Sequence, residues 1–537
     1  MPASVIIPAY RAAATIAQTV RAAHQIPGVS QVIVVDDGSD DGTGEAARSA
    51  GADTLIVLPR NRGKGAALAA GVAAATAEQL LLLDADLGES AAKAGPLLDA
   101  LSEMPTPAMV VAVLPSRPGA GGLGLAMGLA RLAIRLLSGL RPDAPMSGQR
   151  AITAALVTHI GLGPRFAVEV GLTVEAAHVG TPIREVPLPL DHAHTGRTLP
   201  GFLHRARQFR DILWLLLDMG YGLSWPALST DMAVLRGVLY AVLLAGVIAL
   251  TRFCAPEAGE ATAAACAAAL LLWLPVLWLA AETLGLRTPN YLGRRLPSGV
   301  GLLFPIVALP ALMLSGLGPT AKWAGIVTIS AFAALGLADD LFAAGHQARG
   351  LRGHLTALLH GHFTTGALKA IGGLAAGVAA GVLLDPGQPL LVALDALLIA
   401  LSANSINLLD LRPGRALKGF LMLFAIAVGI RPESLRLLAP MLAAAAVSAP
   451  SDLAGRAMMG DVGSNTLGAA AGLGLAMVLP PPARLAAALL LAAFHLLCER
   501  RSLTEIIGKS RFLRFLDRLG AAHLEPLPAE TGEGIGR

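Results

Sequence analysis

The sequence predicts an α/β soluble domain followed by a polytopic all-α membrane domain of about ten transmembrane helices. Over the first 200 or so residues, short apolar strands alternate with helical segments, a pattern typical of a doubly wound sheet. Beyond about residue 232, apolar runs of about 15 to 25 residues dominate. The mean hydropathy of +0.63 and the hydrophobic share of 54% are too high for a wholly soluble chain of 537 residues.

Composition also excludes some classes of protein. Aromatic residues make up only 4% of the chain, which argues against an aromatic platform for nucleic acid, so we expect no nucleic-acid partner. The three cysteines lie in or beside apolar runs, which indicates packing roles rather than a disulfide framework or a zinc site. The chain enters a strand at once, without a signal peptide, so we expect the first domain to stay in the cytoplasm.

Acidic side chains follow two of the predicted strands. The four strands are expected at residues 4–10, 32–35, 55–58 and 80–83. The second ends in Asp36-Asp37-Gly38, and the fourth ends in Asp84-Ala85-Asp86. Ligands of such sheets bind beyond the carboxyl ends of the strands, so these clusters mark a candidate site.

The residue types at this edge suit a nucleotide sugar. An Asp-x-Asp pair can hold Mg²⁺ or Mn²⁺ against a diphosphate, because hard cations prefer oxygen ligands. The segment around Lys64, Asn61-Arg62-Gly63-Lys64-Gly65, offers cations and flexible backbone to phosphates. Each Asp-Gly piece taken alone could be only a turn, but the ordered set favours a binding site.

This set resembles family 2 glycosyltransferases of the GT-A (Rossmann-like) fold over residues 2 to about 215, and within that family the branch that glycosylates polyprenyl phosphate. The resemblance implies that Asp37 contacts the nucleoside and that Asp84 and Asp86 handle the metal and the diphosphate, Asp86 also being catalytic. It adds Pro8, Tyr10 and Lys64 to the nucleotide-sugar site.

The resemblance extends to the acceptor side. Ser147-Gly148-Gln149-Arg150 resembles the Ser-Gly-x-Arg segment of that branch, so Arg150 joins the predicted site, and Glu169 matches an acidic catalytic residue near the acceptor. A late histidine often serves as an additional metal ligand in such enzymes, and His192 and His194 are both candidates, with His194 preferred. Arg197 would neutralise the leaving diphosphate.

Residues 201–222 begin basic and end apolar, a pattern typical of a helix lying on an anionic leaflet. Ten apolar spans follow, at 233–252, 262–285, 299–317, 321–338, 367–384, 389–406, 416–430, 435–450, 465–480 and 484–499. We therefore place a glycosyltransferase domain at 1–200, an interfacial helix and linker at 201–230, the membrane domain at 231–500 and a cytoplasmic tail at 501–537. Arginines concentrate in the loops on one side, which predicts a plasma-membrane protein with both termini in the cytoplasm.

Polar motifs recur at the ends of these spans, all on the predicted cytoplasmic side. They resemble the polyprenyl-phosphate sugar-1-phosphate transferase superfamily, which includes the peptidoglycan translocase, over about 285–500. The resemblance implies catalytic roles for Asp339, Asp340 and Asp410, a metal-binding role for Asp461, and a polar site to which these further residues belong: Asn404, Asn407, Ser464, Arg352 and His354. One departure is Pro413, which stands where that family has a second, metal-binding aspartate.

The leading hypothesis is a membrane glycosyltransferase that moves a sugar from a nucleotide-sugar donor to a polyprenyl-phosphate-linked acceptor, with a possible second activity as a sugar-1-phosphate transferase. In one alternative, only the first domain is catalytic and the membrane domain is a lipid-binding anchor. An alternative of another class is a lipid transporter or flippase, for which ten spans alone would suffice. Against it, the polar motifs cluster at one face instead of lining a path at mid-membrane.

Overall fold

The structure is a computed structural model that describes residues 1–115, 125–160, 167–190, 199–220, 233–289, 295–342 and 365–519. The described chain divides into two compact units, one spanning Met1–Leu217 and the other starting at Asp218. The first unit thus continues past the domain boundary expected at residue 200.

A seven-stranded mixed sheet forms the centre of the first unit. Its strands are β1 Ala3–Ala9, β2 Val29–Asp36, β3 Thr54–Val57, β4 Gln79–Leu82, β5 Met109–Val113, β6 Arg150–Thr153 and β7 Ile183–Pro187. The spatial order is β3-β2-β1-β4-β6-β5-β7. The four predicted strands are β1 to β4 and they pair in parallel, as expected of an α/β fold. The sheet is not wholly parallel, because β6 runs antiparallel to both β4 and β5.

Helices cover both faces of this sheet. They are α1 Ile16–Ala23, α2 Thr43–Ser49, α3 Lys64–Ala74, α4 Gly95–Ser102, α5 Leu125–Ser138, α6 Ala154–Ile160, α7 Val168–His178 and α8 Leu199–Gly220. Alternate strand residues serve opposite cores, because successive side chains of a strand point to opposite faces. Val5 and Ile7 pack in one core, whereas Ile6 packs in the other. Packing on both faces fixes the positions of the strand ends. The loops that follow these ends carry the predicted site residues.

Helix α8 matches the segment expected at the membrane surface. Its Ile212, Leu215 and Leu216 are buried. Leu215 lies beside Gly171 of α7, since a Cβ added to Gly171 would be 3.7 Å from Cδ1 of Leu215. Arg207 and Arg210 are exposed. Part of the apolar side of α8 therefore packs within the first unit, and a contact of its arginines with lipid stays a prediction.

The second unit consists mainly of helices. They are α9 Ala233–Cys254, α10 Gly259–Trp278, α11 Leu303–Met313, α12 Pro319–Phe342, α13 Thr365–Leu384, α14 Pro389–Leu409, α15 Arg415–Ile430, α16 Leu435–Leu453, α17 Gly460–Val478, α18 Pro481–Arg500, α19 Leu503–Lys509 and α20 Arg511–Arg518. Two short strands, β8 Arg287–Pro289 and β9 Arg295–Pro297, pair antiparallel. Each of the ten predicted apolar spans falls on one of the helices α9 to α18.

The described residues contain fewer candidate membrane spans than the expected ten. Among the described residues, six helical segments are long and apolar enough to cross a membrane, namely Pro256–Thr283, Pro319–Phe342, Thr365–Leu384, Pro389–Leu409, Pro432–Leu453 and Pro481–Arg500. A hydrocarbon core of about 30 Å needs about 20 helical residues, and α11 has only 11. α17 carries polar residues in its first two turns. The prediction of about ten spans is therefore not confirmed.

Small residues bring α14 and α17 close together. A Cβ on Gly468 would lie 2.5 Å from the carbonyl oxygen of Ser402, and one on Gly472 would lie 2.9 Å from the Cα of Ile399. Such close approach of backbones is the usual way in which membrane helices pack, since lipid supplies no hydrophobic driving force between them. This packing holds the C-terminal end of α14 beside the N-terminal end of α17, where the polar motifs lie.

Candidate functional site

A lysine ammonium joins two carboxylates at the carboxyl edge of the sheet in the first unit. Lys64 is the first residue of α3, Asp84 follows β4, and Glu169 lies in the first turn of α7. The Lys64 Nζ is 2.5 Å from Asp84 Oδ1 and 2.7 Å from Glu169 Oε1. Three predicted site residues, far apart in sequence, are thus brought together.

The electrostatics of this trio favour a charged lysine. Burial alone would lower the pKa of Lys64, but the nearby carboxylates of Asp84 and Glu169 outweigh burial and raise the pKa above its usual value. The side chains remain partly open, with 31% of Asp84 and 17% of Lys64 exposed. The trio is therefore a fixed charge cluster that a polar ligand can still reach.

Gly148 keeps this cluster accessible. A Cβ at position 148 would lie 2.5 Å from Lys64 Nζ and 2.6 Å from Asp84 Oδ2, closer than real Cβ contacts allow. The neighbouring Gln149 Nε2 donates to Asp84 Oδ2 at 2.7 Å, and Ser147 Oγ donates to Gln149 Oε1 at 3.2 Å. The Ser-Gly-Gln segment predicted for the acceptor side thus lies directly on the Lys64–Asp84 pair.

Arg150 lies beneath this segment, only 1% exposed. Its Nε donates to the Ser147 carbonyl oxygen at 2.8 Å, and its Nη1 donates to Thr173 Oγ1 at 3.0 Å. Burial lowers the pKa of Arg150 to about 10, against the opposing effect of nearby carboxylates, of which Glu169 is the strongest. These contacts are those of a residue that positions the turn, and a direct contact of Arg150 with the donor stays a prediction.

The nucleoside side of the predicted site lies at the ends of β1 and β2. The buried Asp37 accepts from the backbone N–H groups of Arg62 and Gly63, both at 2.7 Å, and so fixes the loop that leads into α3. Pro8 is half-buried within β1, and Tyr10 is 45% exposed at its end. A contact of Asp37, Pro8 or Tyr10 with a nucleoside stays a prediction.

Sequence inspection missed an ion pair that spans this edge. Arg11 Nε and Nη2 donate to the two oxygens of Asp40 at 2.9 and 2.7 Å. Arg11 has a positive φ of 52°, unusual for a residue with a side chain, so the turn after β1 is held in a sparsely populated conformation. Nothing in the spacing of the two residues signals the pairing.

The metal prediction rests on Asp84 and Asp86, both of which follow β4 and are partly exposed. Their oxygens are the donor type that Mg²⁺ and Mn²⁺ prefer, so the pair fits a divalent ion. In the part of the chain that the structure describes, no three His, Cys, Asp or Glu side chains form a ready-made metal site. The predicted further ligands His192 and His194, and also Arg197, lie outside the described residues.

The second unit contains a similar cluster, built at helix ends. The Lys369 Nζ of α13 is 3.0 Å from Asp339 Oδ2 of α12 and 2.5 Å from Asp461 Oδ2 of α17. The amide nitrogen of Asn407 donates to Asp461 Oδ1 and to Ser464 Oγ, both at 3.0 Å. In this orientation the amide oxygen of Asn407 accepts from Lys369 Nζ at 3.1 Å. Three predicted polar residues, Asp339, Asp461 and Asn407, therefore contact one lysine, and a fourth, Ser464, contacts Asn407.

Asp340 has a structural function beside this cluster. Its Oδ1 accepts from the backbone N–H of Asp461, and its Oδ2 accepts from that of Val462, both at 3.0 Å. These N–H groups belong to the first turn of α17 and have no partner within their own helix. Asp340 thus caps α17, and Gly460, with its φ of 70°, leaves room for the Asp340 carboxylate.

The remaining predictions for this unit have different outcomes. Asp410 directly follows α14, and its pKa is raised well above the usual value by burial and by the carboxylates of Asp452, Asp461 and Asp340. The side chain of Asn404 is exposed. Arg352 and His354 lie outside the described residues.

Lys369 is the central residue that the sequence analysis missed. It is the only charged residue in the 20 residues of α13. An ionisable residue inside an apolar span is costly and usually paired, so this isolated lysine was a usable signal.

Comparison with known proteins identifies the first unit. Residues 4–126 match the family model described as glycosyl transferase family 2. Glucosyl-3-phosphoglycerate synthase of Mycolicibacterium smegmatis is 30% identical over 259 residues, covering 41% of this chain and 80% of that protein. Dolichyl-phosphate beta-glucosyltransferase of Mus musculus is 43% identical over 72 residues, or 12% of this chain and 22% of that protein. Glycosyltransferase AglJ of Haloferax volcanii is 31% identical over 187 residues, or 34% and 61%.

Among solved structures, glucosyl-3-phosphoglycerate synthase of Mycobacterium tuberculosis in complex with Mn²⁺, uridine diphosphate and phosphoglyceric acid is 27% identical, with a TM-score of 0.34, covering 40% of this chain and 78% of that chain. The same enzyme with Mg²⁺ and uridine diphosphate is 28% identical, with a TM-score of 0.34 and coverages of 40% and 79%. On the match to the family model and the similarity to the M. smegmatis enzyme, this chain belongs to glycosyl transferase family 2.

Proposed function

We propose that this glycosyltransferase moves a sugar from a nucleotide-sugar donor to a polyprenyl-phosphate-linked acceptor at a membrane surface. The observation that carries the proposal is the cluster of Lys64, Asp84 and Glu169, open beside Gly148. Two further observations support a lipid acceptor. Six helical segments are able to cross a membrane, and one relative is named for a dolichyl-phosphate acceptor.

In the proposed reaction, the bond between the anomeric carbon and the diphosphate of the donor breaks, and the nucleoside diphosphate leaves with the electron pair. With polyprenyl phosphate itself as the acceptor, an oxygen of its phosphate forms the new bond to the anomeric carbon. A divalent ion held by Asp84 and Asp86 would neutralise the charge of the diphosphate. Lys64 supplies a second positive charge at the same place, and Gln149 holds the Asp84 carboxylate in position.

The role of Glu169 follows from the chemistry of the acceptor. A phosphate oxygen is already ionised near neutral pH, so it needs no general base, whereas a sugar hydroxyl does. With prenyl phosphate as the acceptor, Glu169 would therefore act mainly by holding Lys64 at 2.7 Å.

The test offers radiolabelled nucleotide sugars, with Mg²⁺ or Mn²⁺, to the full-length protein together with polyprenyl phosphate or a neutral prenyl alcohol. We expect label in the lipid fraction only when polyprenyl phosphate is the acceptor. We also expect Glu169→Gln to lower the rate of transfer by much less than the roughly 10²–10⁴-fold that loss of a general base costs. Transfer to the alcohol but not to the phosphate would reject the proposed acceptor.

A second activity, as a sugar-1-phosphate transferase, is a further candidate for the second unit. The support is a cluster of polar residues from four helices. Lys369 of α13 contacts Asp339 at the end of α12, Asn407 at the end of α14 and Asp461 at the start of α17. Attack of a prenyl phosphate on the β-phosphate of the donor would release a nucleoside monophosphate, unlike the glycosyl transfer above.

The product nucleotide therefore separates the two activities. We expect nucleoside monophosphate from wild type and little from Asp339→Asn if the second unit is catalytic. Release of diphosphate alone, unchanged by Asp339→Asn, would instead support the alternative in which this unit is a lipid-binding anchor, an outcome that Pro413 in place of an aspartate favours.

A further inference from the structure

The C-terminal helix α20 is docked on the second unit by a buried arginine. Arg415, the first residue of α15, donates from Nε and Nη2 to the two carboxylate oxygens of Asp517, at 2.7 and 2.9 Å. The Arg415 side chain is only 3% exposed. Lys418 Nζ also donates to the Asp517 carbonyl oxygen, at 2.7 Å. One side of α20 is therefore fixed against the unit.

The other sides of α20 carry three arginines and several apolar residues. Arg511, Arg514 and Arg518 recur at spacings of three and four, so they lie along one face of the helix. These three side chains and Phe515 line a shallow cleft. Phe512 and Phe515 are 67% and 62% exposed. Exposed aromatic rings beside several arginines on one short helix are the pattern of a helix that lies at a membrane interface.

The position of α20 indicates what that surface is. The helix begins eleven residues after Arg500, the last residue of the candidate span α18. Its docking partner Arg415 is the first residue of α15. A loop of five residues separates Arg415 from the C-terminal end of another candidate span, α14. α20 is thus held near the ends of two candidate membrane spans, which is the level at which lipid headgroups would lie.

We propose that α20 is a membrane-surface helix that binds an anionic leaflet through Arg511, Arg514 and Arg518, while Phe512 and Phe515 insert at the headgroup level. Cationic and aromatic exposed residues on one short helix match what such a surface offers, since the arginines pair with lipid phosphates and the rings reach the acyl boundary. The Asp517–Arg415 pair fixes the helix so that these residues are presented outward. This inference is independent of which sugar is transferred.

The test places the full-length protein in nanodiscs of phosphatidylcholine alone, or with one third phosphatidylglycerol. Amide hydrogen exchange is measured for the segment 511–519. We expect exchange to slow by about tenfold or more in the anionic discs, because each arginine near such a surface contributes about a fivefold gain in affinity. The triple variant Arg511→Gln/Arg514→Gln/Arg518→Gln should lose this effect and keep the thermal midpoint of wild type.

Two controls keep the outcome unambiguous. Inorganic phosphate added to neutral discs should not slow exchange, and if it does so as well as the anionic lipid, α20 binds a phosphate group rather than a leaflet. Asp517→Asn should speed exchange in neutral discs, because it weakens docking on Arg415. Equal exchange of the wild-type segment in both disc types, or an anionic-lipid effect that survives in the triple variant, would overturn the proposal.

Discussion

Both units hold a lysine ammonium between two carboxylates, but the surroundings of the two clusters differ. In the first unit, Lys64 joins Asp84 and Glu169 at a strand edge, and Gly148 keeps the cluster open. In the second, Lys369 joins Asp339 and Asp461 at helix ends, where Asp340 next to Asp339 caps a helix. The cluster of the sheet is partly exposed at a strand edge, whereas a carboxylate beside the cluster of the helical unit caps α17. Substitutions should therefore affect activity in the first unit and stability in the second.

The largest effect is expected from Asp86→Ala. Asp86 is proposed to hold the divalent ion that would neutralise the diphosphate, so its removal should lower nucleotide-sugar turnover by about 10²–10³-fold or more, the scale of losing one electrostatic contact to developing charge. Asp99→Ala, at an exposed position of α4, is the matched control and should retain wild-type turnover. Full metal-dependent activity in Asp86→Ala would remove Asp86 from the site.

Gly148→Ala should reduce turnover by about 10- to 100-fold, because the added methyl group pushes Lys64 and Asp84 out of position and small displacements at a reacting centre are costly. Gly128→Ala is the control, since a Cβ there meets nothing within 4 Å. Steady-state kinetics on both variants measure the difference. Wild-type turnover in Gly148→Ala would show that the Lys64–Asp84 geometry is not needed.

In the second unit, Asp340→Ala should lower the free energy of unfolding by about 0.5–2 kcal/mol through loss of the α17 cap. Asp340→Asn should cost less, because the amide oxygen can still accept from one of the two N–H groups. Thermal unfolding in detergent measures both, and Glu433→Ala, at an exposed position, serves as the control. An unchanged thermal midpoint in Asp340→Ala would contradict the capping role.

The smallest effect concerns Asp410 and pH. The pKa of Asp410 is higher in the folded state than in the unfolded state, so the folded state resists ionisation of this carboxyl. The fold therefore loses stability as pH rises from the unfolded pKa of about 3.9 toward the folded pKa. Below the unfolded pKa this penalty is absent. Asp410→Asn should therefore raise the thermal midpoint at neutral pH, by about 2–4 °C for each kcal/mol of unfolding free energy that it gains. This gain should shrink as pH falls toward about 4. Glu433→Gln should show no such pH-dependent gain. A constant difference across pH would mean that Asp410 does not titrate in this way.

Sequence periodicity predicted four of the seven strands of the first unit, β1 to β4, and the positions of the long helices of the second, because buried apolar runs are local signals. The residues at the strand ends pointed to Asp84 and to the segment around Lys64, whereas Glu169 was added only through the resemblance to family 2 glycosyltransferases. The sequence analysis did not predict the antiparallel β6, the Lys369 pairs or the Arg415–Asp517 dock, which depend on contacts between distant segments. Its expectation of about ten membrane spans is not confirmed, and apolar composition alone does not reveal that α11 has only 11 residues.

The most direct test compares Lys64→Met with Lys369→Met in the full-length protein, with the thermal midpoint of each variant recorded alongside. The quantity to measure is nucleoside diphosphate released from a nucleotide sugar in the presence of polyprenyl phosphate. If the first unit is the glycosyl-transfer centre, Lys64→Met should lower this release by about 100-fold, the scale of losing one such contact, while folded Lys369→Met retains it. Loss of diphosphate release in folded Lys369→Met, with wild-type release in Lys64→Met, would contradict the assignment of glycosyl transfer to the first unit.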